Sequence, residues 1–482
     1  SVHILMKARM RHSRSTPRPM RRTRTSLRLA ALLCAFSSVW LAQPAHAYDL
    51  WQAYQDAQKN DPTYLASAAQ NDVLNAQKAQ VRAAVLPTVT LSGGVYNTRK
   101  QFWGETKAVN SRTHPASLTV GLNQPIFALD KLTALKQVDV QSAIIDLKIA
   151  QAKQELITRV VQAYFSAWLT EHNARVADNV AKAAERQLEM AKKNFEIGNT
   201  TVIDTQEAET VWHNAQASLI NAHTTWDNAK SALELLTGRA INEPLSNIRA
   251  PLKLKMPVPG SADSWVEQAK QSNYNVQIAQ LNYRFNTLDT TRIGQKRLPQ
   301  INVVAKRTWG NTNLQREPDE QSAVTTVGLE LSMPIFDGGL IGGQVREAQA
   351  QENISFQTLR ATQQNVAQST RAAYNQAVSG LATINALESA RGAAQKSADS
   401  NILGYQLGMR INIDVLNAQN AYAQAQYNLA QAQYNTILGN VNLKAAIGQL
   451  GDDDVQYINA LLGNANTSDI NNSNAQQTLP KK

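Results

Sequence analysis

Four stretches of this chain alternate apolar and polar residues. After Leu86-Pro87, Val89, Leu91 and Val95 share one parity, and Thr88, Thr90 and Ser92 share the other. Leu118, Val120 and Leu122 then alternate with Thr119, Gly121 and Asn123. After Leu298-Pro299, Ile301 and Val303 continue the pattern. A fourth stretch sets Val327, Leu329, Leu331 and Met333 against Thr326, Gly328, Glu330 and Ser332. Period two with one apolar face predicts half-buried strands, placed at about 87–97, 116–125, 299–308 and 325–334. A length near ten residues suits a tilted membrane-crossing strand. Each Leu-Pro step stops a preceding helix, because proline lacks the N–H and disfavours helical backbone at the residue before it. Tyr96, Phe102, Trp103 and Trp309 fall near the strand ends. Rings there suit an aromatic girdle and suit the packing of a soluble sandwich equally well.

A different period follows Phe127 and Phe336. From each, about 65–70 residues run to Gly198 or Gly408 without a proline, which is roughly 100 Å of helix at 1.5 Å per residue. Small residues recur at steps of four and three: Ala177, Ala181, Ala184, Leu188, Ala191 and Phe195. The returning segment does the same with Val211, Ala215, Ser218, Ala222, Thr225, Ala229, Ala232 and Leu236. Such seams predict antiparallel coiled-coil hairpins with closely approaching backbones.

The plan occurs twice. Leu86-Pro87-Thr88-Val89 returns as Leu298-Pro299-Gln300-Ile301, and Gln124-Pro125-Ile126-Phe127 as Met333-Pro334-Ile335-Phe336. Gly198–Asp204 returns as Gly408–Asp414, and Trp51 and Trp265 open the two halves. One structural unit used twice gives repeats over 48–250 and 251–463. Each reads helix, strand, loop, strand, long helix, turn, helix, with hairpins over about 128–238 and 337–448. The polar stretch 464–482 reads as a disordered tail.

Charge changes the picture only at the start. Nine basic residues and no acid lie within 1–47, so subtracting nine from the formal +11 leaves +2 for the remainder. A nearly neutral body has no electrostatic footprint for nucleic acid. The basic stretch leads into Leu29–Phe36 and ends at Ala45-His46-Ala47. That order predicts a secretory signal peptide over 1–47. Cys34, the only cysteine, lies inside it after Leu33, so neither a disulfide nor lipid anchorage is expected.

Four strands cannot close on themselves, and in hydrocarbon every backbone group must be paired. Known membrane barrels have at least about eight strands, so copies of the chain must pool theirs. Two, three or four chains would each close.

Taken together, the duplicated plan, both Leu-Pro entries, both Pro-Ile-Phe exits and the turns Phe195-Glu196-Ile197-Gly198 and Tyr405-Gln406-Leu407-Gly408 resemble the TolC family of outer-membrane factors, from Tyr48 to about Leu462. The resemblance implies an α+β membrane protein with internal duplication. Long antiparallel coiled-coil hairpins would form a periplasmic tunnel. Four transmembrane strands per protomer would contribute to a trimeric twelve-stranded β-barrel in outer-membrane lipid. It implies a homotrimeric exit duct for efflux or type I secretion. The duct would take drugs or secreted polypeptides from an inner-membrane translocase (ABC or RND type) through a periplasmic adaptor protein. No enzyme activity and no cofactor are implied.

The family closes its tunnel at the hairpin tips, where a tyrosine and an arginine on the second hairpin bond an aspartate on the first. Tyr405, Arg410 and Asp204 match those positions. Ile203 departs from the family's pattern, because it cannot accept a side-chain hydrogen bond. The family's lumen ring of paired aspartates matches Asp414 and Asn417, one carboxylate per chain instead of two. Read from the residues alone, Asp204 and Asp414 sit in the first turn of a helix, where an acid suits the dipole and can cap N–H groups. Tyr405 reads equally as a packing contact.

Other signals carry less. Gly338–Gly343 lacks the Lys-Ser/Thr of a phosphate loop and reads as room for a strand-to-helix bend. His114, His172, His213 and His223 show no metal-ligand spacing, no Ser/His/Asp grouping stands out, and Asp452-Asp453-Asp454 reads as a solvated end. An exported structural or adhesive coiled-coil protein would explain the helices and the leader, but not the four amphipathic strands. A periplasmic adaptor would want one hairpin, not two.

Overall fold

The computed structural model describes residues 47–103, 109–310 and 322–463. The expected signal peptide through His46 and the expected disordered tail 464–482 lie outside the described residues. Ala47 begins the body of the molecule.

Each half begins with two helices where the sequence suggests one. Helix α1 (Leu50–Asn60) ends at Asp61, and α2 (Pro62–Ala83) begins there. Pro62 suits a first helical position, where no N–H is needed. The Asp61 carboxylate accepts the Tyr64 N–H at 3.0 Å. In the second half Asn273 separates α5 (Ala262–Ser272) from α6 (Tyr274–Gln295), accepting the Asn275 N–H at 2.9 Å.

The four expected strands form one antiparallel sheet. Strands β1 (Thr88–Val95), β4 (Ala116–Phe127), β6 (Gln300–Gly310) and β7 (Ser322–Ser332) lie in the order β1-β4-β6-β7. Register aligns Leu91, Val120, Arg307 and Thr325 in one row, and Thr90, Gly121, Lys306 and Thr326 in the next. Successive rows point to opposite faces. One face therefore collects Val89, Leu91, Leu118, Val120, Leu122, Ile301, Val303, Val327, Leu329 and Leu331. Gln124, Arg307 and Thr325 share that face, and the other collects mainly Thr, Ser, Gly and Asn with Lys306 and Glu330, Val304 and Val324 among them. The apolar face is uncovered: Leu329 is 73 % exposed and Leu331 70 %. The stretch between β1 and β4, read as a polar loop, instead carries strands β2 (Thr98–Phe102) and β3 (Val109–Thr113), paired antiparallel.

The helices α3 (Leu129–Glu196), α4 (Val202–Thr237), α7 (Leu340–Gln406) and α8 (Asn412–Ala446) form two hairpins. At 68 residues α3 is roughly 100 Å long. Small residues set its seam as expected, with Ala177, Ala181, Ala184, Leu188 and Ala191 buried. Phe195 is not buried, because the chain turns just beyond it. On α4, Ala208, Ala215 and Leu233 are buried, whereas Ser218, Thr225 and Ala232 of the expected seam are exposed. That helix has α3 as its main neighbour within one chain, so only one flank is covered. In the second hairpin Gly380 permits a close crossing: a Cβ there would stand 2.3 Å from the Thr436 hydroxyl.

The largest core lies midway along α3. Leu156, Ile157, Val160, Val161, Tyr164 and Phe165 are fully buried against Leu50 and Tyr54 of α1 and Ile437 and Val441 of α8. They also meet Val455 and Ile458 of α9 (Asp452–Ala460). The Tyr164 hydroxyl donates to the Tyr48 carbonyl at 2.8 Å and accepts the Ser246 N–H at 3.1 Å. Arg159 pairs with the buried Asp61. Strand β5 (Asn247–Ile248) pairs with β8 (Leu462–Gly463), so the halves are clasped across the expected boundary at 250. Asp452-Asp453-Asp454 is not a loose solvated end. It forms the first turn of α9, and Asp452 accepts from Tyr54 at 2.7 Å and Lys153 at 3.1 Å.

Gly338 and Gly339 adopt positive φ of 67° and 89° at the sheet-to-α7 junction. There the Asp337 carboxylate accepts the N–H groups of Gly339 and Ile341 at 2.9 and 2.8 Å. No helix among the described residues is long and apolar enough to cross a membrane.

Candidate functional site at the hairpin tips

The two tips repeat one turn. Gly198 and Gly408 take φ of 78° and 72°, a left-handed conformation that glycine adopts without a Cβ clash. The Gly198 N–H reaches the Phe195 carbonyl at 3.0 Å, and the Gly408 N–H reaches that of Tyr405 at 3.0 Å. Ile197, Val202, Ile203, Leu407, Met409 and Ile411 are exposed around these turns.

After the turns the tips differ. Thr201 caps α4: its hydroxyl accepts the Asp204 N–H at 3.3 Å, and Asp204 Oδ2 takes the Thr201 N–H and hydroxyl, each at 2.9 Å. Asp204 thus fulfils the capping role that its first-turn position suggests. The matching cap of α8 is Ile411, which has no side-chain acceptor. Asp414 is therefore free of capping, and its carboxylate lies 3.7 Å from the Arg410 guanidinium. Asn417 is exposed on the following turn.

Tyr405, Arg410 and Asp204 do not bond one another within one chain. The Tyr405 hydroxyl instead accepts from Asn194 Nδ2 at 3.1 Å, tying the end of α3 to the second tip. Deeper along the same seam Gln187 Nε2 donates to Asn412 Oδ1, between two buried side chains. Asn412 Nδ2 has no partner there. A search for apolar seams passes over Asn194, Gln187 and Asn412. The available signal was their place within a few turns of the glycines, where a polar residue on a packed helix face needs a partner.

Elsewhere, burial pushes the Glu171 carboxyl up. At Asp452 burial opposes ionisation, but the Tyr54 and Lys153 bonds outweigh it and hold the carboxyl below its usual range. Among the described residues no group of His, Cys, Asp and Glu could hold a metal ion.

This duplicated architecture has known counterparts. The family model described as outer membrane efflux protein matches residues 53–239 and 265–449, one stretch in each repeat. Outer membrane protein TolC of Escherichia coli is 26 % identical over 446 residues, covering 90 % of this chain and 89 % of that protein. The alkaline protease secretion protein AprF of Pseudomonas aeruginosa is 27 % identical over 450 residues, covering 90 % and 92 %. The CmeC outer membrane channel of Campylobacter jejuni shares the fold, with a TM-score of 0.75 at 14 % identity, covering 86 % of this chain and 89 % of that one. With both of its repeats matched, the chain belongs to the outer membrane efflux protein family, and its place is the outer membrane.

Proposed function

We propose that three copies of this chain form a passive exit duct, with a twelve-stranded barrel in the outer membrane and a helical tunnel in the periplasm. The observation that carries the reading is the four-stranded sheet. It has two unpaired edges, β1 and β7, and one exposed apolar face, on a body otherwise built of long helices. Unpaired edges in hydrocarbon leave N–H and C=O groups unsatisfied, so the sheet must close with others. Family membership supports three copies rather than two or four.

Substrate, drugs or secreted polypeptides, enters from an inner-membrane translocase of ABC or RND type through a periplasmic adaptor. The energy comes from that partner. The tips form the gate. Tyr405 and Arg410 hold the second hairpin, Asp204 stands on the first, and the exposed Arg410 is available to a neighbouring copy. Opening is a hinge motion of the hairpins once these contacts break. Asp414, with Asn417 beside it, supplies one carboxylate per chain to the lumen. Three like charges at a constriction attract cations, and six would do so more strongly.

Single-channel conductance in planar bilayers tests this, wild type beside Arg410→Ser. Discrete cation-selective steps are expected, larger in the variant. Folded protein that gives no steps would refute the channel. Steps of equal size in both would refute the gate alone.

A further inference from the structure

The ribbon above the apolar face carries a feature that conduction does not use. Pairing of β1 with β4 ends at Val95 and Ala116, and pairing of β2 with β3 begins at Thr98 and Thr113. Each strand advances three positions between these pairs, and the Tyr96 N–H meets the Pro115 carbonyl at 2.9 Å between them. The ladder therefore continues in one register, and alternation carries through it. The parity that presents Val89, Leu91 and Val95, with Leu118, Val120 and Leu122, next presents His114, then Arg99 opposite Arg112, then Gln101.

Arg99 and Arg112 are direct cross-strand partners, both exposed. Like charges so placed repel. Among the described residues neither has an acidic partner; the other arginines in ion pairs are Arg159, Arg239, Arg292, Arg371 and Arg410. The pair lies four residues beyond Val95, roughly 13 Å along the strand and about 9 Å higher at a strand tilt near 45°. That is just above the apolar band, where headgroups begin.

We infer that Arg99 and Arg112 form an outward-facing site for the phosphate groups of outer-leaflet lipid. Two guanidinium forks on adjacent strands suit the several oxygens of a phosphate, and a bound anion removes their mutual repulsion. The inference rests on the barrel reading above, which fixes this face as the lipid side.

The test titrates the purified, assembled full chain in detergent with diphosphoryl lipid A and with its dephosphorylated form, following the thermal unfolding midpoint. Wild type should prefer the phosphorylated lipid by at least about tenfold, the loss expected for removing about 1.4 kcal/mol of binding. Arg99→Gln/Arg112→Gln should abolish the preference. Arg99→Lys/Arg112→Lys should keep part of it. Lys306→Gln, which removes a cation from the opposite face, should keep all of it. Equal affinity of wild type for the two lipids, or a preference that survives the glutamine pair, overturns the site. Conductance of the same preparations is read separately, so failure of the barrel shows as absent steps and failure of the lipid site does not.

Discussion

Replacing Tyr405 by Phe removes one hydroxyl and leaves the ring. In the structure that hydroxyl accepts from Asn194 at 3.1 Å, in a part-buried position between the first and second hairpins. A neutral hydrogen bond of this kind contributes about 1 kcal/mol net. Water can reach a part-buried amide, so the penalty for the stranded Asn194 stays small. If the three tips of a trimer open together, the losses sum to about 3 kcal/mol, a shift of roughly 150-fold in the closed-to-open ratio. Planar-bilayer recording of open probability reads this directly, and the thermal midpoint of the whole chain should barely move. An open probability within about twofold of wild type would correspond to well under 1 kcal/mol and would refute the Asn194–Tyr405 fastening as part of the gate.

Asn417→Asp should strengthen cation selectivity in asymmetric salt, because it adds a second carboxylate one turn from Asp414; an unchanged reversal potential would place Asn417 outside the constriction. Leu156→Ala, in the fully buried centre of α3, should cost about 2–5 kcal/mol and lower the midpoint of unfolding without altering single-channel current. The Asp452 carboxyl is held below its usual range, so its contribution is present above the unfolded value and lost as pH falls through the folded one. Thermal melts from neutral to acid should therefore show a shallower decline in Asp452→Asn than in wild type. Glu171 is raised by burial, so its ionisation opposes folding at neutral pH and ceases to as pH falls; Glu171→Gln should raise the neutral midpoint and narrow the difference in acid.

Strand and helix placement was legible because period two and the small-residue seams are local patterns. The four strands at Thr88–Val95, Ala116–Phe127, Gln300–Gly310 and Ser322–Ser332 follow from which residues alternate and where proline forbids a helix. Both tips were legible because Gly198 and Gly408 stop long uninterrupted helices. The β2–β3 extension was not, since all its residues but Phe102 and Val109 at its far end are polar, and hydrophobic alternation gives no signal there. Nor was the break at Asn273, where a single amide caps one helix and bonds the Ala446 carbonyl across the fold.

The sequence by itself determined the duplicated plan, the strand faces and the residue types at each tip, because these depend on near neighbours. Local spacing settles two partners at the tips, Thr201 for Asp204 and Arg410 for Asp414. Only the tertiary structure decided that Tyr405 is joined to Asn194. It also decided that Asp452 anchors α9 and that β5 meets β8 across the boundary between repeats. These pairings join residues up to several hundred positions apart. Which of many polar groups meets which is set by the packing of the helices and not by spacing along the chain.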